Sequence, residues 1–364
     1  MRPPIRRCLA VLVAACLLGL AARDSDAATL VVLNKAEASA SLIDIASGVE
    51  VARVATGDGP HEVAVSPDGR TAVVGNYGVR GAPGNSLTVI DVRSARVLRT
   101  IDLGDYTRPH GIVYLADGAR VVVTAEGKQA LLVVDVATGK ILSAIETGQQ
   151  ISHMVAVTPD EKRAFVANIG SGSMTAIDLE TSKRLANIET GDGAEGIDVT
   201  PDGKQVWVTN RGADTVSILD TQSLEVVATV PSASFPIRAR ATPDGRFMLV
   251  TNARSGELAV FDTATHTEHR RIKMALQASE TEGRLFGDSF DDSPVPIGVL
   301  VQPDGKRAYV AHANADVVSV VDLGTWRIVA GLRGGKEPDG LGFSKQDVDP
   351  QARVSRPKSS ESSP

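Results

Sequence analysis

The chain contains few cysteines and few aromatic residues. Its two cysteines, Cys8 and Cys16, lie near the start of the 364-residue sequence, so the rest of the chain has no thiol for a disulfide or a metal. Aromatic residues make up only 4% of the sequence. It contains no nucleophile elbow, phosphate-binding glycine loop, CxxCH haem attachment or zinc-finger spacing. The enzyme and cofactor classes that such motifs identify are therefore not indicated.

The sequence also has fewer basic than acidic residues. The sequence has 38 lysines and arginines against 44 aspartates and glutamates, which gives a formal net charge of −6. Binding to nucleic acid typically depends on a basic surface. We therefore expect no nucleic-acid partner.

A single apolar run, over residues 8–22, follows three arginines and precedes the small residues Ser25-Asp26-Ala27. This run is too short for a membrane span and is typical of a signal peptide. We predict a signal peptide over residues 1–27, a periplasmic or secreted protein, and no transmembrane span after cleavage. Cleavage removes four arginines and two aspartates and shifts the net charge from −6 to −8. Arg6-Arg7 leaves Sec and twin-arginine export open, and lipoprotein anchoring at Cys16 is the less favoured alternative.

The remaining chain repeats a pattern of about 42 residues. A Pro-Asp-Gly type turn, such as Thr200-Pro201-Asp202-Gly203, recurs between short apolar strands. An aspartate ends a later strand in each repeat, at spacings of 47, 44, 43, 42, 42 and 60 residues. These aspartates are Asp44, Asp91, Asp135, Asp178, Asp220, Asp262 and Asp322. A period of this length, made of strands and turns, is typical of a β-propeller.

The chain begins out of phase with its repeats. Residues 29–34 match the second strand of a repeat, and the missing first strand reappears at residues 339–344. We therefore predict an all-β, seven-bladed β-propeller of four-stranded antiparallel blades over residues 28–344. N-terminal strands and a C-terminal inner strand close the ring, so that no free edge remains. The polar residues 345–364 are expected to form a disordered tail.

Two sequence features indicate a family. Segments such as residues 206–210 (VWVTN) and 309–312 (YVAH), and a Gly-x-x-Pro-x-Gly link before the turns, resemble the YVTN family of β-propeller repeat proteins over residues 29–344. That family resembles the haem d1 domain of cytochrome cd1 nitrite reductases. It includes proteins associated with pyrroloquinoline quinone-dependent catabolism and archaeal surface-layer proteins. The resemblance implies the propeller fold and assigns no catalytic residue.

The repeat register predicts that one residue from each blade surrounds one mouth of the central channel. The first residues of the seven inner strands are His61, His110, His153, Glu195, Ile237, Ile297 and Asp339. The three histidines, on adjacent blades, are a candidate site for Zn, Cu or Fe, with Glu195 as a base toward a metal-bound water. A metal-free ligand pocket and a purely structural mouth remain alternatives.

Other residues on the same face are candidates for ligand binding. Arg238 and Arg240 are expected near the mouth in blade 5, where they could hold a substrate carboxylate. Asp339 is expected to flank the three histidines and is a further candidate for ligand binding. Tyr77 and Tyr106 lie in long links and are expected to wall a pocket. His312 replaces the asparagine that ends most second strands.

Three functions are compatible with these features. The first is an exported binding module that recognises a small molecule, a cofactor or a periplasmic or cell-envelope protein. The second is a metal-dependent periplasmic oxidoreductase or hydrolase, and the third is a structural cell-surface protein. A monomer is expected in each case, and the only cofactor that the residues suggest is a divalent transition metal.

Overall fold

The computed structural model describes residues 28–276, 284 and 286–353. Within them, 28 strands form seven four-stranded antiparallel sheets. This confirms the predicted seven-bladed β-propeller. The predicted signal peptide lies outside the described residues. No helix of the described part is long and apolar enough to span a membrane.

The chain enters the ring through the three outer strands of blade 7. These are β1 (Thr29–Asn34), β2 (Ser39–Asp44) and β3 (Val49–Ala55). Blade 1 contains β4 (Pro60–Val65), β5 (Thr71–Val79), β6 (Ala82–Asp91) and β7 (Arg96–Asp102). Blade 2 contains β8 (Pro109–Tyr114), β9 (Arg120–Ala125), β10 (Ala130–Asp135) and β11 (Ile141–Glu146). Blade 3 contains β12 (Ser152–Val157), β13 (Arg163–Asn168), β14 (Ser173–Asp178) and β15 (Lys183–Glu189).

The second half of the ring repeats this order. Blade 4 contains β16 (Ala194–Val199), β17 (Gln205–Asn210), β18 (Thr215–Asp220) and β19 (Val226–Pro231). Blade 5 contains β20 (Pro236–Ala241), β21 (Phe247–Asn252), β22 (Glu257–Asp262) and β23 (Thr267–Lys273). Blade 6 contains β24 (Pro296–Val301), β25 (Arg307–His312), β26 (Val317–Asp322) and β27 (Arg327–Arg333). The last strand, β28 (Pro338–Ser344), pairs with β1 and completes blade 7, as predicted.

In the described part of the chain, four short 3-10 turns accompany the strands. They span Lys35–Glu37, Glu126–Lys128, Ile169–Ser171 and Gly287–Phe290. The first three directly follow a second strand and lead into the third. They therefore lie on the same face of the ring as the starts of the inner strands.

The core consists of apolar layers between neighbouring blades. One layer packs β-branched and leucine side chains of blade 1, such as Val73 and Leu87, against those of blade 2, such as Val123 and Leu132. Because each sheet is covered on both faces, its middle strands are apolar without alternation. Residues 121–125 of β9 illustrate this, since none is more than marginally exposed.

In four of the seven blades the neighbouring inner strand approaches so closely that only glycine fits at the third position of the inner strand. A Cβ at Gly111 of β8 would lie 2.6 Å from the backbone nitrogen of Val155 and 2.7 Å from the carbonyl oxygen of His153, both in β12. Such distances are far below van der Waals contact, so any side chain here would push blades 2 and 3 apart. Gly196, Gly298 and Gly340 occupy the same position in other blades and meet similar contacts.

The ordered chain extends past residue 344, the predicted boundary of the propeller. Val348 is completely buried in the apolar layer between blades 7 and 1. Arg93 binds the carboxylate of Asp349 at 2.9 Å, and Thr29 Oγ1 donates to the carbonyl oxygen of Gln346 at 2.8 Å. Residues 345–353 therefore pack against the ring, whereas the remainder of the expected tail, 354–364, lies outside the described residues.

Candidate functional site

The entry into each inner strand has the same unusual backbone. The residue before each of the seven strands has a φ between +55° and +71°. These residues are Gly59, Arg108, Ile151, Gly193, Phe235, Val295 and Glu337. Five are not glycine, and left-handed φ values are rare for β-branched residues such as Ile151 and Val295. Backbone strain of this kind clusters at functional sites in proteins.

A bulge then directs the start of each inner strand away from regular pairing. In blade 1, Pro60 pairs with Asn76 and Val63 with Val74, so the register shifts across His61 and Glu62. The same shift occurs between Pro109 and Ile112 and at the equivalent positions of the other blades. Bulges re-aim side chains. This irregularity therefore positions one side chain per blade at the channel mouth.

The mouth contains a cavity of about 470 Å³. All seven residues that the register selected line it: His61, His110, His153, Glu195, Ile237, Ile297 and Asp339. Arg238 and Tyr77 line it as well. The structure thus brings together residues that are far apart in the sequence.

A second ring of residues surrounds the first, and sequence reasoning largely missed it. Each comes directly after the second-strand residue that pairs with the start of the inner strand, as Asn76 pairs with Pro60. Four of them line the cavity: Tyr77, Glu126, Ile169 and Arg211. Only Tyr77 was predicted from the sequence. The signal for the others is positional, since each follows the residue, usually asparagine, that ends the second strand.

The polar side chains of the two rings form a connected chain. Tyr77 Oη donates to Glu126 Oε2 at 2.6 Å, and Glu126 Oε1 accepts a short hydrogen bond from His153 Nδ1. His153 Nε2 lies 3.3 Å from Glu195 Oε1. Glu195 also binds Arg211 at 2.5 Å and Arg238 at 3.3 Å. Blades 1 to 5 are thereby linked through buried charged groups.

Arg238 connects this chain to the opposite side of the ring. Its guanidinium lies 2.8 Å from Glu62 Oε1 and 4.0 Å from Asp339 Oδ1. Asp339 is also 3.4 Å from Lys35 Nζ, which binds Glu337 at 3.2 Å. Buried ions of both signs thus compensate one another, which is the condition under which charges are tolerated away from water.

The charged state of Glu195 follows from these contacts. Burial alone raises a carboxyl pKa, but the hydrogen bond with His153 and the positive charges of Arg211 and Arg238 outweigh it and lower the pKa of Glu195 to about 2. A carboxylate with so low a pKa and with both oxygens engaged is a weak proton acceptor. The structure therefore disfavours the predicted role of Glu195 as a catalytic base.

The three histidines of the mouth have different environments. Burial would lower the pKa of His153, but the charges and hydrogen bonds of Glu126 and Glu195 raise it. Burial lowers the pKa of His61 to about 3, and lowers that of His110 well below its usual range with help from the neighbouring His153. The surroundings therefore favour the charged imidazole at His153 and the neutral imidazole at His61 and His110.

His110 stands out because the described residues give its buried Nδ1 no hydrogen-bond partner. Its ring lies against that of His153, with centroids 3.5 Å apart and planes tilted by 33°, and meets that of His61 edge-on at 5.0 Å. Asp339 Oδ1 is likewise buried without a hydrogen-bond partner in the described part of the chain. Each orphaned polar atom costs about 1–3 kcal/mol.

The structure groups the metal-ligating atoms differently from the sequence prediction. Ligand atoms of His110, Glu126 and His153 all lie within 4.8 Å of one another. His61 borders this group but is not part of it. Its Nδ1 donates to the carbonyl oxygen of Gly59 at 2.8 Å. Glu126 was missed from the sequence.

Two other predicted residues lie elsewhere. Tyr106 packs on the apolar layer between blades 1 and 2 and lines a separate surface cleft with Lys128 and Glu146. His312 is buried within blade 6, where its Nε2 shares a hydrogen bond with Ser319 Oγ at 2.9 Å. It thus replaces an asparagine such as Asn210, which bonds Ser217 at 2.9 Å, and does not line the mouth cavity. Of these two candidate ligand-binding residues, Tyr106 thus walls a cleft away from the mouth and His312 lies inside a blade.

An aromatic cluster borders the mouth at blades 5 and 6. Phe235 packs against Phe286 and Phe290, with ring centroids 5.5 and 4.8 Å away. The guanidinium of Arg211, the partner of Glu195, lies 5.1 Å from the centre of the Phe235 ring. Phe286 also lines the cavity. The long link before β24 therefore supplies an apolar wall next to the charged chain.

Comparisons with known proteins agree with this architecture. No curated protein is similar enough in sequence to match the chain. A solved structure titled Kuenenia stuttgartiensis Hydrazine Synthase matches with a TM-score of 0.65 and 21% identity, over 78% of this chain and 89% of that chain. At this identity the likeness shows the fold alone. A model of the YNCE-like beta-propeller family matches residues 7–107 and 121–282, which is more than half of the sequence. Together with the repeats that resemble the YVTN family, this match places the chain in the YNCE-like β-propeller family.

Proposed function

We propose that the protein is an exported binding module that takes up a small molecule in the cavity at the channel mouth. The observation that carries this proposal is the pair of buried polar atoms in that cavity, His110 Nδ1 and Asp339 Oδ1, which have no hydrogen-bond partner in the described part of the chain. Arg238 Nη2 lies 4.0 Å from Asp339 Oδ1, too far for a hydrogen bond. Buried polar groups in folded proteins nearly always have a hydrogen-bond partner. A bound molecule would supply it.

The cavity has the size and lining of a ligand site. Its volume of about 470 Å³ falls within the range typical of small-molecule pockets, about 300–1,000 Å³. Ile237, Ile297 and Phe286 provide apolar walls, while Tyr77 and the charged chain lie opposite. These features favour a ligand with an apolar or aromatic face and at least one hydrogen-bond donor for Asp339.

A thermal-shift screen with quinones, haems and sugar lactones tests this proposal. A ligand of the native state raises the melting temperature, and the stabilisation grows with the logarithm of its concentration relative to its dissociation constant. We expect Ile297→Phe, which adds bulk to the cavity wall, to reduce the shift. Val329→Phe is the matched control, since Val329 is 56% exposed on the outer strand of the same blade.

Two results would contradict the proposal. One is a probe that stabilises Ile297→Phe as strongly as the unaltered protein, because its site would then lie outside the mouth. The other is native mass spectrometry of protein from its own compartment that shows no bound molecule, combined with no response to any probe. The second result would favour a structural role for the mouth.

Export is a separate part of the proposal. It is supported by the sequence pattern of residues 1–27. We expect intact-mass measurement of the protein from a periplasmic or culture fraction to show loss of these residues. A full-length mass in the cytoplasmic fraction would contradict it.

A metal-dependent enzyme is the second candidate function. It is favoured by the convergence of His110, Glu126 and His153 at the mouth. If the protein is an enzyme, the low pKa of Glu195 indicates that another residue acts as its base. The metal itself can be tested without knowledge of a reaction.

A further inference from the structure

We infer that His110, His153 and Glu126 bind one divalent transition-metal ion at the channel mouth. This inference rests on the proposed function, because it assigns a ligand to the same cavity. Its first support is geometry: the three ligand atoms lie within 4.8 Å of one another on two adjacent blades. A tetrahedral ion with bonds of about 2.1 Å holds its ligands about 3.4 Å apart, so small side-chain rotations complete the set.

The second support is the state of His110. This side chain is 1% exposed, and its Nδ1 has no hydrogen-bond partner among the described residues. An imidazole buried in this way loses its hydration without compensation. A metal ion near His153 and Glu126 would supply the missing partner.

The third support is the arrangement around the two other ligands. Tyr77 Oη donates to Glu126 Oε2 at 2.6 Å, and Glu195 Oε1 lies 3.3 Å from His153 Nε2. With a metal at Nδ1, His153 would keep its Nε2 hydrogen bond to Glu195. Metal-bound histidines commonly donate their other N–H to a carboxylate, which fixes the orientation of the ring.

The donor set limits the metal. Two imidazole nitrogens and one carboxylate suit Zn, Fe, Co or Cu, whereas Mg and Ca prefer oxygen ligands. Three protein ligands leave a coordination position open toward the cavity. His61, whose ring centroid lies 5.0 Å from that of His110, borders this position.

Cobalt titration of the full chain, purified without a histidine tag and dialysed against EDTA, tests the site. We expect one equivalent of Co²⁺ to produce visible d–d absorption bands that one equivalent of Zn²⁺ removes. We expect His110→Ala and Glu126→Gln each to weaken binding by at least about tenfold, and Tyr77→Phe to weaken it by about tenfold. His312→Asn and His269→Asn are matched controls outside the mouth and should leave binding unchanged.

The outcomes separate this inference from the proposed function. Absence of stoichiometric cobalt or zinc in the unaltered protein overturns the inference, as does undiminished binding by both His110→Ala and Glu126→Gln. Urea unfolding of each variant checks that a loss does not reflect misfolding, and Glu126→Gln, which keeps the size of the side chain, should stay folded. The thermal-shift screen with organic probes is repeated in EDTA. A rise in melting temperature that persists in EDTA supports the binding module even if no metal binds. Metal binding without any organic ligand supports the inference alone.

Discussion

Arg238 and Glu62 bind each other across the channel mouth although 176 residues separate them in the chain. The guanidinium Nη2 lies 2.8 Å and Nε 3.0 Å from Glu62 Oε1. Glu62 and Arg238 occupy the same register position in their own blades. That position is glycine in four of the other five blades, at Gly111, Gly196, Gly298 and Gly340. The charged pair is therefore a departure from the repeat, and it joins blade 5 to blade 1.

Arg238→Met should destabilise the protein strongly. Arg238 is 5% exposed and faces the carboxylates of Glu62, Glu195 and Asp339, so its loss leaves buried negative charges that repel one another. Removing one partner of a buried ion pair typically costs about 3–5 kcal/mol. Urea unfolding at pH 7 measures this loss.

Arg240 provides the control for that variant. It lies two residues further along the same strand, its side chain is 44% exposed, and it pairs with Asp198 at 3.8 Å. Arg240→Met should cost at most about 1 kcal/mol, as expected for a surface ion pair. An equal loss in both variants would show that Arg238 does not organise the mouth.

His312→Asn should reduce the sensitivity of the protein to acid. Burial lowers the pKa of His312 to about 3, whereas in the unfolded chain it is about 6.5. Between these values the unfolded state binds a proton that the native state does not, so His312 lowers stability as pH falls from 6.5 toward 3. Five other blades have asparagine at this position, so the variant residue fits there. Asparagine does not titrate, so the variant lacks this proton uptake on unfolding.

The readout is the slope of unfolding free energy against pH, from urea melts between pH 4 and 7. We expect the difference between His312→Asn and the unaltered protein to grow by about 1.4 kcal/mol per pH unit below pH 6. His269→Asn, on the exposed outer strand of blade 5, should leave the slope unchanged. A parallel slope for His312→Asn would mean that His312 is protonated in the native state.

Gly111→Ala should separate blades 2 and 3. The added Cβ would meet backbone atoms of β12 at 2.6–2.7 Å, and backbone cannot yield as a flexible side chain can. Overpacking of this kind costs about 1–3 kcal/mol or more, and it displaces the neighbouring His110. Gly324→Ala is the control, because its nearest contact is at 3.5 Å and its φ is not in the left-handed region. Similar melting temperatures for both variants would contradict the close approach.

The repeat register predicted the fold and much of the mouth, because both depend on the position of each residue within its repeat. Turns of the Pro-Asp-Gly type, two of them incomplete, mark six of the seven blades. One register position selects His110, Glu195 and Asp339 alike. The match to the predicted inner strands is within one residue, since β8 begins at Pro109 and β28 at Pro338. Periodicity suffices for such predictions because every repeat supplies the same information.

The sequence did not predict the contacts that depend on the direction of a side chain. Glu126 follows Ala125 where most repeats have asparagine, and its partner His153 lies 27 residues away on the next blade. Nothing in the register shows that the two side chains meet. Tyr106 lies in a long link outside the repeated pattern, so the register does not give its direction, and its side chain packs on the apolar layer between blades 1 and 2. His312 occupies the position of the recurring asparagines and, like Asn210, bonds a serine within its own blade.

Val348→Ala should weaken the closure of the ring. Val348 is 0% exposed in the layer between blades 7 and 1, next to the junction where β28 meets β1. Loss of two buried methyl groups costs about 1–3 kcal/mol through reduced burial and the cavity left behind. Val329→Ala removes the same atoms from a side chain that is 56% exposed, so it should change the free energy of unfolding by less than about 0.5 kcal/mol. Closure holds all seven blades in one ring, so we also expect Val348→Ala to unfold faster than Val329→Ala in concentrated urea. Equal unfolding rates for the two variants would show that residues 345–353 pack on the ring without closing it.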